Sequence, residues 1–315
     1  MKVLITGGGG FIGSTLADRR LAAGDEVLVI DNFETGRREN LSEHENLTVV
    51  EESIVDGDAV RKAFEFIKPD VVAHAAASYK DPDAWVEDTN TNALGTVNVV
   101  ESAKEHGVQR MVYFQTALCY GTTPREQPIT LEHPVFPDSS YAISKTAGEQ
   151  YIQMSGIPFV SLRLANVYGP RNLSGPPPTF FQRLSEDKPV FVMDSRRDFV
   201  FVDDLLAVVE AALQGTGDGH YHVSSGSDVA IKEMLEAVLD AMGIELDEEV
   251  EVKPRPPENA ASILLDPART EKDFSWKAET PLSEGIKSAV EWYRENGVGE
   301  TFTHLKPEEL KADKG

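Results

Sequence analysis

The chain has 315 residues, of which 53 are acidic and 30 are basic, giving a formal net charge of −23 at pH 7. This charge repels nucleic acids and anionic membrane surfaces, so we expect neither as a partner. The single cysteine, Cys119, rules out an internal disulfide bond and fits a reducing compartment. No apolar run approaches the ~18 residues that span a bilayer, and the run after Met1 is too short for a signal peptide, so we expect a cytoplasmic protein.

Short apolar strand patterns alternate with helical patterns through the first half of the chain. Residues 2–6 and 26–30 are β-branched runs on either side of a helical pattern that ends at Ala23-Gly24, where glycine is a common helix stop. The alternation continues with strand patterns at 47–50, 70–76, 110–115 and 157–165 and helical patterns at 88–106 and 140–155. This order predicts an α/β fold with a Rossmann-type, doubly wound parallel sheet.

The alternation ends near residue 165. Residues 168–179 are rich in proline and glycine and cannot continue a regular element, so we interpret them as a loop that leads into a second lobe. Helical patterns follow near 179–186, 203–213, 229–242 and 282–296. The sequence therefore predicts a dinucleotide-binding Rossmann domain over 1–165, to which some later segments return, a smaller C-terminal α/β substrate-binding lobe over 166–300, and a charged tail over 301–315.

A glycine-rich stretch joins the first strand to the first helix. Residues 6–13 read TGGGGFIG, and the four consecutive glycines allow two frames, Gly8-Gly10-Gly13 or Gly7-Gly10-Gly13. In either frame the missing side chains let a pyrophosphate approach backbone N–H groups at a helix N-terminus. The stretch therefore predicts a dinucleotide site, although the glycines alone leave the frame open.

An acidic residue follows the second strand pattern. Asp31 lies 18 residues after Gly13, where a carboxylate can accept hydrogen bonds from the adenosine ribose of a dinucleotide. This position favours NAD, because the carboxylate would repel the 2′-phosphate of NADP. Arg37 and Arg38 lie near enough in sequence to leave NADP open, and an alternative is that Asp31 only caps a turn with Asn32.

A tyrosine and a lysine stand four residues apart in the helical pattern 140–155. Tyr141 and Lys145 would share one helix face, so that the ammonium can lie beside the phenol. A free tyrosine has a pKa of about 10, and a nearby cation together with an oxidised nicotinamide favours its phenolate, which is a general base. The same spacing also occurs in surface pairs, so it does not establish a catalytic role by itself.

Eight motifs occur along the chain in a fixed order. They are TGGGGFIG at 6–13, DN at 31–32, HAAA at 74–77, NALGT at 92–96, FQTALCYG at 114–121, YAISK at 141–145, RLANVYGPR at 163–171 and RRDFVFVDDL at 196–205. In this order they resemble the extended short-chain dehydrogenase/reductases, in the branch of NAD-dependent nucleotide-sugar epimerases and dehydratases. The resemblance covers residues 1–296. Within this branch the sequence is similar to UDP-glucose and UDP-GlcNAc 4-epimerases and to epimerases of O-antigen clusters.

The resemblance implies a cofactor, NAD, and catalytic roles for three residues. Tyr141 would be the base, Lys145 would also hold the nicotinamide ribose, and the Thr116 hydroxyl would hydrogen-bond the reacting sugar oxygen. Asn92 would order the active-site helix or a proton-relay water, unless it only caps a helix. The cofactor-binding residues implied, with the glycine frame now set, are Gly7, Gly10, Phe11, Ile12, Gly13, Asp31, Asn32, Ser53, Ile54, Ala75, Ala76, Ala77, Asn92, Tyr141, Lys145 and Leu164.

Substrate binding is implied for five residues. Arg197 and Arg255 match the diphosphate-binding arginines of the family, whose planar forks suit phosphate oxygens, although without the family they would be taken for surface ion pairs. Asn166 matches a nucleotide-contacting asparagine, and Glu258 stands where relatives hold the nucleotide ribose. Thr116 completes the set. No cluster has the spacing of metal ligands, so no metal is expected.

The two positions after Thr116 narrow the reaction. In the 4,6-dehydratases of the family an Asp and a Glu follow the catalytic hydroxyl, and in UDP-glucuronate decarboxylases a Glu occupies the second position. Here they are Ala117 and Leu118, which can neither donate nor accept a proton. The resemblance therefore predicts NAD-dependent epimerisation of a nucleotide sugar, at C4 of a UDP-hexose or UDP-N-acetylhexosamine through a transient 4-keto intermediate, for surface-polysaccharide precursors.

Several alternatives stay open. The same scaffold serves dehydratases with other acids, C3/C5 epimerases and 4-keto reductases, a hydroxysteroid or flavonoid-type reductase would share Tyr141 and Lys145, and a non-catalytic NAD-sensing protein is a further class. The sugar is not identified, because the position that would gate a 2-acetamido group lies near Ser262 or Ile263. The family commonly forms a homodimer through helices near 88–106 and 140–155, so we expect one here.

Overall fold

Strands and helices follow one another along the whole chain in the computed structural model, which describes residues 1–255, 261–299 and 301. The strands are β1 (Lys2–Thr6), β2 (Glu26–Asp31), β3 (Leu47–Glu51), β4 (Val71–His74), β5 (Arg110–Thr116), β6 (Phe159–Leu164), β7 (Asn166–Tyr168), β8 (Phe191–Met193), β9 (Arg196–Arg197), β10 (Phe199–Phe201), β11 (Gly219–Val223), β12 (Val229–Ala230) and β13 (Glu251–Lys253).

The α-helices are α1 (Phe11–Ala22), α2 (Gly57–Ile67), α3 (Trp85–Asp88), α4 (Thr96–Glu105), α5 (Ser140–Ser155), α6 (Pro176–Ser185), α7 (Val202–Leu213), α8 (Ile231–Met242), α9 (Ala268–Phe274) and α10 (Leu282–Asn296). A π-helical segment, Thr89–Gly95, joins α3 to α4, and a short 3₁₀ turn, Ala117–Tyr120, follows β5. None of the helices in the described part of the chain has both the length and the apolar character needed to cross a membrane.

Seven strands form the central sheet, in the order β11-β6-β5-β4-β1-β2-β3. Every neighbouring pair is parallel. From β1 the chain continues to β2 and β3 on one side, and from β4 it continues to β5, β6 and β11 on the other. The connections that leave β1 and β4 therefore run in opposite directions, and doubly wound sheets bind ligands in the crevice between such connections. The predicted Rossmann-type fold is confirmed, and β11 is a late segment that returns to the sheet.

Helices cover both faces of the sheet because its strands are apolar on both sides. In β1, Val3 and Ile5 face the layer that contains α1 and α7, whereas Leu4 faces the layer of α2, α4 and α5. All three side chains are fully buried. Successive side chains of a strand point to opposite faces, so a strand buried on both sides must be apolar throughout.

A smaller lobe follows β6. Helices α6, α8 and α10 pack together there, and short two-stranded sheets pair β7 with β10, β8 with β13 and β9 with β12. On α10 the side chains of Ile286, Ala289 and Tyr293 are buried, as their helical spacing predicts. The sequence patterns did not indicate α9, because Thr270 is the one buried residue of its seven and no apolar stripe marks it.

Candidate active site

A cavity of about 970 Å³ lies at the carboxyl ends of the strands. The loops after β1, β2, β4 and β5 line one side of it, and residues between 164 and 199, together with Arg255 and Ile263, line the other. This volume is at the upper end of the range for small-molecule sites, so the cavity has room for an extended ligand or for two ligands side by side.

Two glycines of the glycine loop, Gly7 and Gly13, pack closely against backbone atoms, and Gly10 is open. Gly7 has a φ of +68°, and a Cβ there would lie 2.6 Å from the backbone nitrogen of Ala76. A Cβ on Gly13 would overlap the carbonyl oxygen of Gly7. At Gly10, which lines the cavity, a Cβ would meet that same oxygen at 3.2 Å, a much milder contact. Gly7 and Gly13 therefore hold the loop together, and Gly10 leaves space on the cavity side.

The N-terminus of α1 presents backbone amides to the cavity. Its N-cap residue, Gly10, makes no side-chain capping bond, and the first turn contains no acidic residue. Phe11, Ile12 and Gly13 all line the cavity. Uncapped N–H groups at the positive end of a helix are a ready anion site, so this donor set fits the pyrophosphate of a dinucleotide.

The Asp31 carboxylate ties the glycine loop to the end of β2. Its Oδ2 accepts the N–H of Gly9 at 2.7 Å, and its Oδ1 accepts the N–H of Phe33 at 2.7 Å. Burial raises the pKa of Asp31, while the N–H donors of Phe33 and Gly9 act in the opposite direction. Each oxygen keeps a lone pair for a ribose hydroxyl. The other predicted cofactor residues that line the same cavity are Asn32, Ser53, Ile54, Ala75, Ala76, Ala77, Tyr141, Lys145 and Leu164.

Thr116 ends β5 at the floor of the cavity. Its Oγ1 accepts the N–H of Leu118 at 3.1 Å, a bond that caps the 3₁₀ turn after the strand. The hydroxyl proton is therefore available for donation to a ligand oxygen. Ala117 and Leu118 also line the cavity, so the two positions that carry acids in dehydratases face it without a carboxylate.

Tyr141 lies in the first turn of α5, just after the N-cap residue Ser139, and lines the cavity together with Thr116. Burial raises the pKa of the Tyr141 phenol, and the neighbouring Tyr79 and Asp88 raise it further. The protein groups around Tyr141 therefore favour the neutral phenol, whereas the spacing predicted a lowered pKa. Formation of the phenolate depends on positive charge added to the site.

Lys145 lies one helical turn after Tyr141 and is 1% exposed. Its Nζ is 4.1 Å from the centroid of the Tyr113 ring, whose hydroxyl donates to the backbone oxygen of Lys145 at 2.9 Å. Burial lowers the pKa of Lys145 to about 7, and the charge of Glu149 opposes this shift. The ammonium is consequently present below pH 7 and is lost as the pH rises above it.

Asn92 does not line the cavity. The residue lies in the π-helical segment, is 1% exposed, and its Nδ2 donates to Ser144 Oγ and to the Ser78 carbonyl oxygen, each at 3.0 Å. Its Oδ1 accepts the N–H of Ser78 at 2.9 Å. Asn92 therefore joins the loop after β4 to the helix that carries Tyr141 and Lys145, which matches an ordering role rather than direct contact with a cofactor.

The predicted substrate residues Asn166, Arg197 and Arg255 line the cavity on the side of the smaller lobe. Burial lowers the pKa of Arg197, and the charge of Arg255 lowers it further. Two guanidinium groups of like charge within one cavity have the chemistry that suits a polyanion. Glu258 lies outside the described residues.

Two residues that line the cavity, Lys80 and Arg171, are not among the predicted site residues. Lys80 follows the HAAA motif and donates to the Glu34 carbonyl oxygen at 2.7 Å, across the mouth of the dinucleotide crevice. Arg171, with a φ of +69°, donates to Ser14 Oγ at 3.2 Å and to Asp18 Oδ2 at 2.7 Å on α1. Arg171 is the last residue of the motif RLANVYGPR at 163–171, and its place in this motif could have indicated that it lies at the site.

Comparisons with known proteins agree on one family. Residues 3–224 match the model of the NAD dependent epimerase/dehydratase family. A UDP-glucose 4-epimerase from Mycolicibacterium smegmatis is 34% identical to this chain over 315 aligned positions, which cover 93% of the chain and 99% of the relative.

Two solved structures from Bordetella bronchiseptica have a similar fold. The enzyme WbmH, in complex with NAD⁺, superposes with a TM-score of 0.92 at 55% identity, covering 94% of this chain and 99% of WbmH. The enzyme WbmG, in complex with NAD and UDP, superposes with a TM-score of 0.90 at 46% identity, covering 96% of this chain and 98% of WbmG. The similarity extends over both the sheet and the smaller lobe.

Proposed function

The chain belongs to the NAD dependent epimerase/dehydratase family, and from this premise we propose that it inverts C4 of a UDP-linked sugar. The comparisons confirm three predictions from the sequence: the family, NAD as the cofactor, and epimerisation of a nucleotide sugar as the reaction. The observation that carries the choice of an epimerase is that Thr116, Tyr141 and Lys145 line one cavity in which the two positions after Thr116 bring no carboxylate. The choice of C4 is supported by the 34% identical UDP-glucose 4-epimerase of Mycolicibacterium smegmatis. The carbon, the sugar and the residue roles are our proposal.

The chain offers NAD three groups of contacts. The amides at the start of α1 would hold the pyrophosphate, Asp31 would accept the hydroxyls of the adenosine ribose, and Lys145 would donate to the nicotinamide ribose. When bound, NAD⁺ takes up a hydride from the sugar and gives it back, and its positive nicotinamide favours the phenolate of Tyr141.

Tyr141 and Thr116 would handle the proton of the reacting hydroxyl. The Tyr141 phenolate takes the proton from the C4 hydroxyl as that carbon loses its hydride, and the sugar becomes a 4-keto sugar. Thr116 donates a hydrogen bond to the C4 oxygen in both directions. If the ketone turns in the cavity so that its other face is presented, Tyr141 would return the proton to the C4 oxygen. The reaction has no net cofactor use and no net proton release.

Elimination of water has less support. Ala117 and Leu118 face the cavity where a dehydratase needs an acid and a base. Asp138 also lines the cavity, but its Oδ2 accepts the backbone N–H of Thr122 at 2.8 Å and the Thr122 hydroxyl at 2.6 Å. This carboxylate therefore holds a turn, so we assign it no proton transfer.

The smaller lobe, within residues 166–300, would bind the nucleotide. Arg197 and Arg255 suit a diphosphate, and Asn166 is held by its Nδ2 bond to the Asp198 carbonyl oxygen at 3.0 Å. WbmG, whose structure contains UDP, is 46% identical to this chain, which favours a uridine nucleotide. We also propose a cytoplasmic location, which the single buried thiol of Cys119 supports, and a role in surface-polysaccharide precursor supply, which the motif resemblance supports.

Proton NMR in D₂O tests the reaction directly. We expect the purified protein with NAD⁺ to convert one of UDP-glucose, UDP-N-acetylglucosamine or UDP-glucuronate into its C4 epimer without deuterium on carbon, because the hydride leaves and returns to the same carbon. The same spectra are recorded with dTDP-glucose and GDP-mannose to establish nucleotide preference.

Other products would contradict this assignment in distinct ways. Deuterium next to the carbonyl carbon, or loss of water, would indicate enolisation and a C3/C5 epimerase or a dehydratase. Net formation of NADH together with a released 4-keto sugar would indicate a 4-keto reductase running in reverse. Binding of NAD with no turnover of any sugar would favour the NAD-sensing alternative.

We propose that the protein is a homodimer through α3, the π-helical segment and α5. Ile143, Tyr151 and Met154 form an apolar stripe at helical spacing on α5, and Met154 is 78% exposed. Trp85 and Val86 on α3 and Leu94 on the π-helical segment, which packs against α5, are exposed as well. A contiguous apolar face of this kind favours an interface between two copies.

Placing a charge in this face should dissociate the dimer. We expect Met154→Asp to weaken dimerisation by about 10-fold or more, because a carboxylate would be buried without a partner. Sedimentation at micromolar concentration measures the mass. Phe66→Asp is the matched control, since Phe66 is 68% exposed on α2, which is not an element of the proposed interface, and should leave the mass unchanged. A Met154→Asp dimer as tight as the wild type would place the interface elsewhere.

A further inference from the structure

A buried acidic residue continues the catalytic face of α5. Tyr141, Lys145 and Glu149 occupy positions i, i+4 and i+8 of the helix and so share one face. Glu149 is 3% exposed and Lys145 is 1% exposed. The proposed catalytic pair is thus followed, one helical turn deeper, by a carboxylate to which the proposed mechanism gives no role.

Glu149 is held by two neighbours on β6. Arg163 donates to Glu149 Oε2 from Nη2 at 2.9 Å and to Oε1 from Nε at 3.2 Å, and the Ser161 hydroxyl donates to Oε1 at 2.5 Å. The side chains of Glu149 and Arg163 are 4% and 7% exposed. Removing two charges from water is costly, and an apolar pair is often as stable, so a buried ion pair is weak evidence of a purely stabilising role.

The network continues from Arg163 towards the smaller lobe. Arg163 Nη1 donates to the Tyr120 hydroxyl at 2.7 Å, and that hydroxyl donates to His222 Nε2 at 2.6 Å. His222 Nδ1 donates in turn to the Asp266 carbonyl oxygen at 3.0 Å. Burial lowers the pKa of His222 to about 4, so the imidazole is neutral and can accept the Tyr120 proton. Each donor has one acceptor, which fixes the orientation of Arg163 and, through it, of Glu149.

We propose that Glu149 is a positioning residue for the epimerisation: held by Arg163, it supplies a fixed negative charge one turn behind Lys145 and keeps this lysine, which lies one turn after Tyr141, as an ammonium. The proposal rests on the function proposed above, and it assigns a functional role to the buried ion pair of Glu149 and Arg163. The Lys145 side chain lies in a largely apolar layer, where an uncompensated ammonium would lose its proton.

The groups around Lys145 and around Glu149 determine the direction in which Glu149 shifts the ionisation of Lys145. Lys145 is faced by His74 on β4, by Tyr113 on β5, and by Tyr141 and Glu149 on its own helix. Burial lowers the pKa of His74 to about 3, so that residue is neutral. The face of the Tyr113 ring favours the lysine cation, and the carboxylate of Glu149 is the negatively charged group in this set that does so.

Glu149 in turn is faced by basic side chains from two strands, of which Arg163 is a cation, whereas burial lowers the pKa of His220. Arg163 lies on β6, and His220 Nε2 on β11 is 3.8 Å from Glu149 Oε2. Burial alone would raise the pKa of Glu149, but the hydrogen bonds and charge of Arg163 outweigh burial and leave the pKa below its ordinary value. Glu149 therefore remains a carboxylate throughout the neutral range.

The ionisation of Lys145 can be measured without any sugar substrate. The full-length protein, saturated with NAD⁺ and labelled with [ε-¹³C]lysine, is titrated by NMR, and the resonance missing in Lys145→Met identifies Lys145. We expect Glu149→Gln to move the Lys145 midpoint to lower pH, by about tenfold in proton concentration, and Arg163→Gln to move it to higher pH, because these changes remove charges of opposite sign. Glu149→Asp keeps the charge and should stay near the wild type.

Two further variants keep the outcome clear if one of the single variants folds poorly. The double variant Glu149→Gln with Arg163→Gln should have a midpoint between those of the two single variants and below that of the wild type, because Glu149 acts on Lys145 more strongly than Arg163 does. Asp25→Asn breaks another buried ion pair, with Arg20 at 2.7 Å, and should destabilise the fold without moving the Lys145 midpoint. Shifts of the same sign in the two single variants, or no shift in either, would overturn the proposal. Expected shifts without sugar turnover would instead contradict the proposed function.

Discussion

Replacement of Tyr141 by phenylalanine is expected to lower the rate of C4 epimerisation by about 10²- to 10⁴-fold, the usual contribution of a positioned general base. The substitution keeps the ring that lines the cavity and removes the hydroxyl that would carry the proton to and from the C4 oxygen. NAD should remain bound, because the amides of α1 and the Asp31 carboxylate are untouched. The rate is measured by NMR on the active UDP-sugar, and the NAD content by chromatography after denaturation.

A second tyrosine of the same helix provides the control. Tyr151 is 45% exposed on α5, outside the cavity lining, so Tyr151→Phe should retain the wild-type rate. If Tyr141→Phe were to keep more than about a tenth of the activity, the base would have to be another group. A large loss of NAD together with activity would mean that Tyr141 mainly orders the cofactor.

The fold could be predicted largely because its strands are buried on both sides. Such strands are continuous apolar runs, and the runs that end in Thr6, His74 and Thr116 mark the edge of the sheet where ligands bind. Segments without this pattern were missed. The helix α9 has a single buried residue, and the π-helical segment differs from an α-helix by its hydrogen bonds, which leave no mark in the spacing of apolar residues.

The sequence indicates a site most sharply where one residue type at one position would carry the chemistry. Thr116, Tyr141 and Lys145 are proposed residues of this kind, and all three line one cavity. Features that depend on three-dimensional burial could not be predicted. The spacing of Tyr141 and Lys145 does not reveal that burial raises the pKa of one and lowers that of the other, because the desolvation comes from side chains on other elements.

Replacement of Gly13 by alanine is expected to lower NAD affinity by about 10- to 100-fold, the equivalent of the strain from an overpacked methyl group. A Cβ there would overlap the carbonyl oxygen of Gly7 and lie 2.9 Å from its carbonyl carbon and from Gly8 Cα. Each of these atoms is backbone, so the loop must move away from α1. NAD titration of the cofactor-free variant measures the affinity, and thermal unfolding of the same sample should show a lower midpoint.

Gly10→Ala separates the packing of the loop from its contact with the ligand. A Cβ at Gly10 would meet the Gly7 carbonyl oxygen at 3.2 Å and otherwise extend towards the cavity, so the cofactor-free protein should unfold near the wild-type temperature. NAD affinity should nevertheless fall, because the methyl group occupies the space through which the pyrophosphate reaches the N–H groups of α1. If both Gly13→Ala and Gly10→Ala lowered the unfolding temperature of the cofactor-free protein, the glycines would be needed for packing of the loop and not for contact with NAD. Full NAD affinity in Gly10→Ala would move the pyrophosphate away from α1, and with it the position of the nicotinamide beside Tyr141.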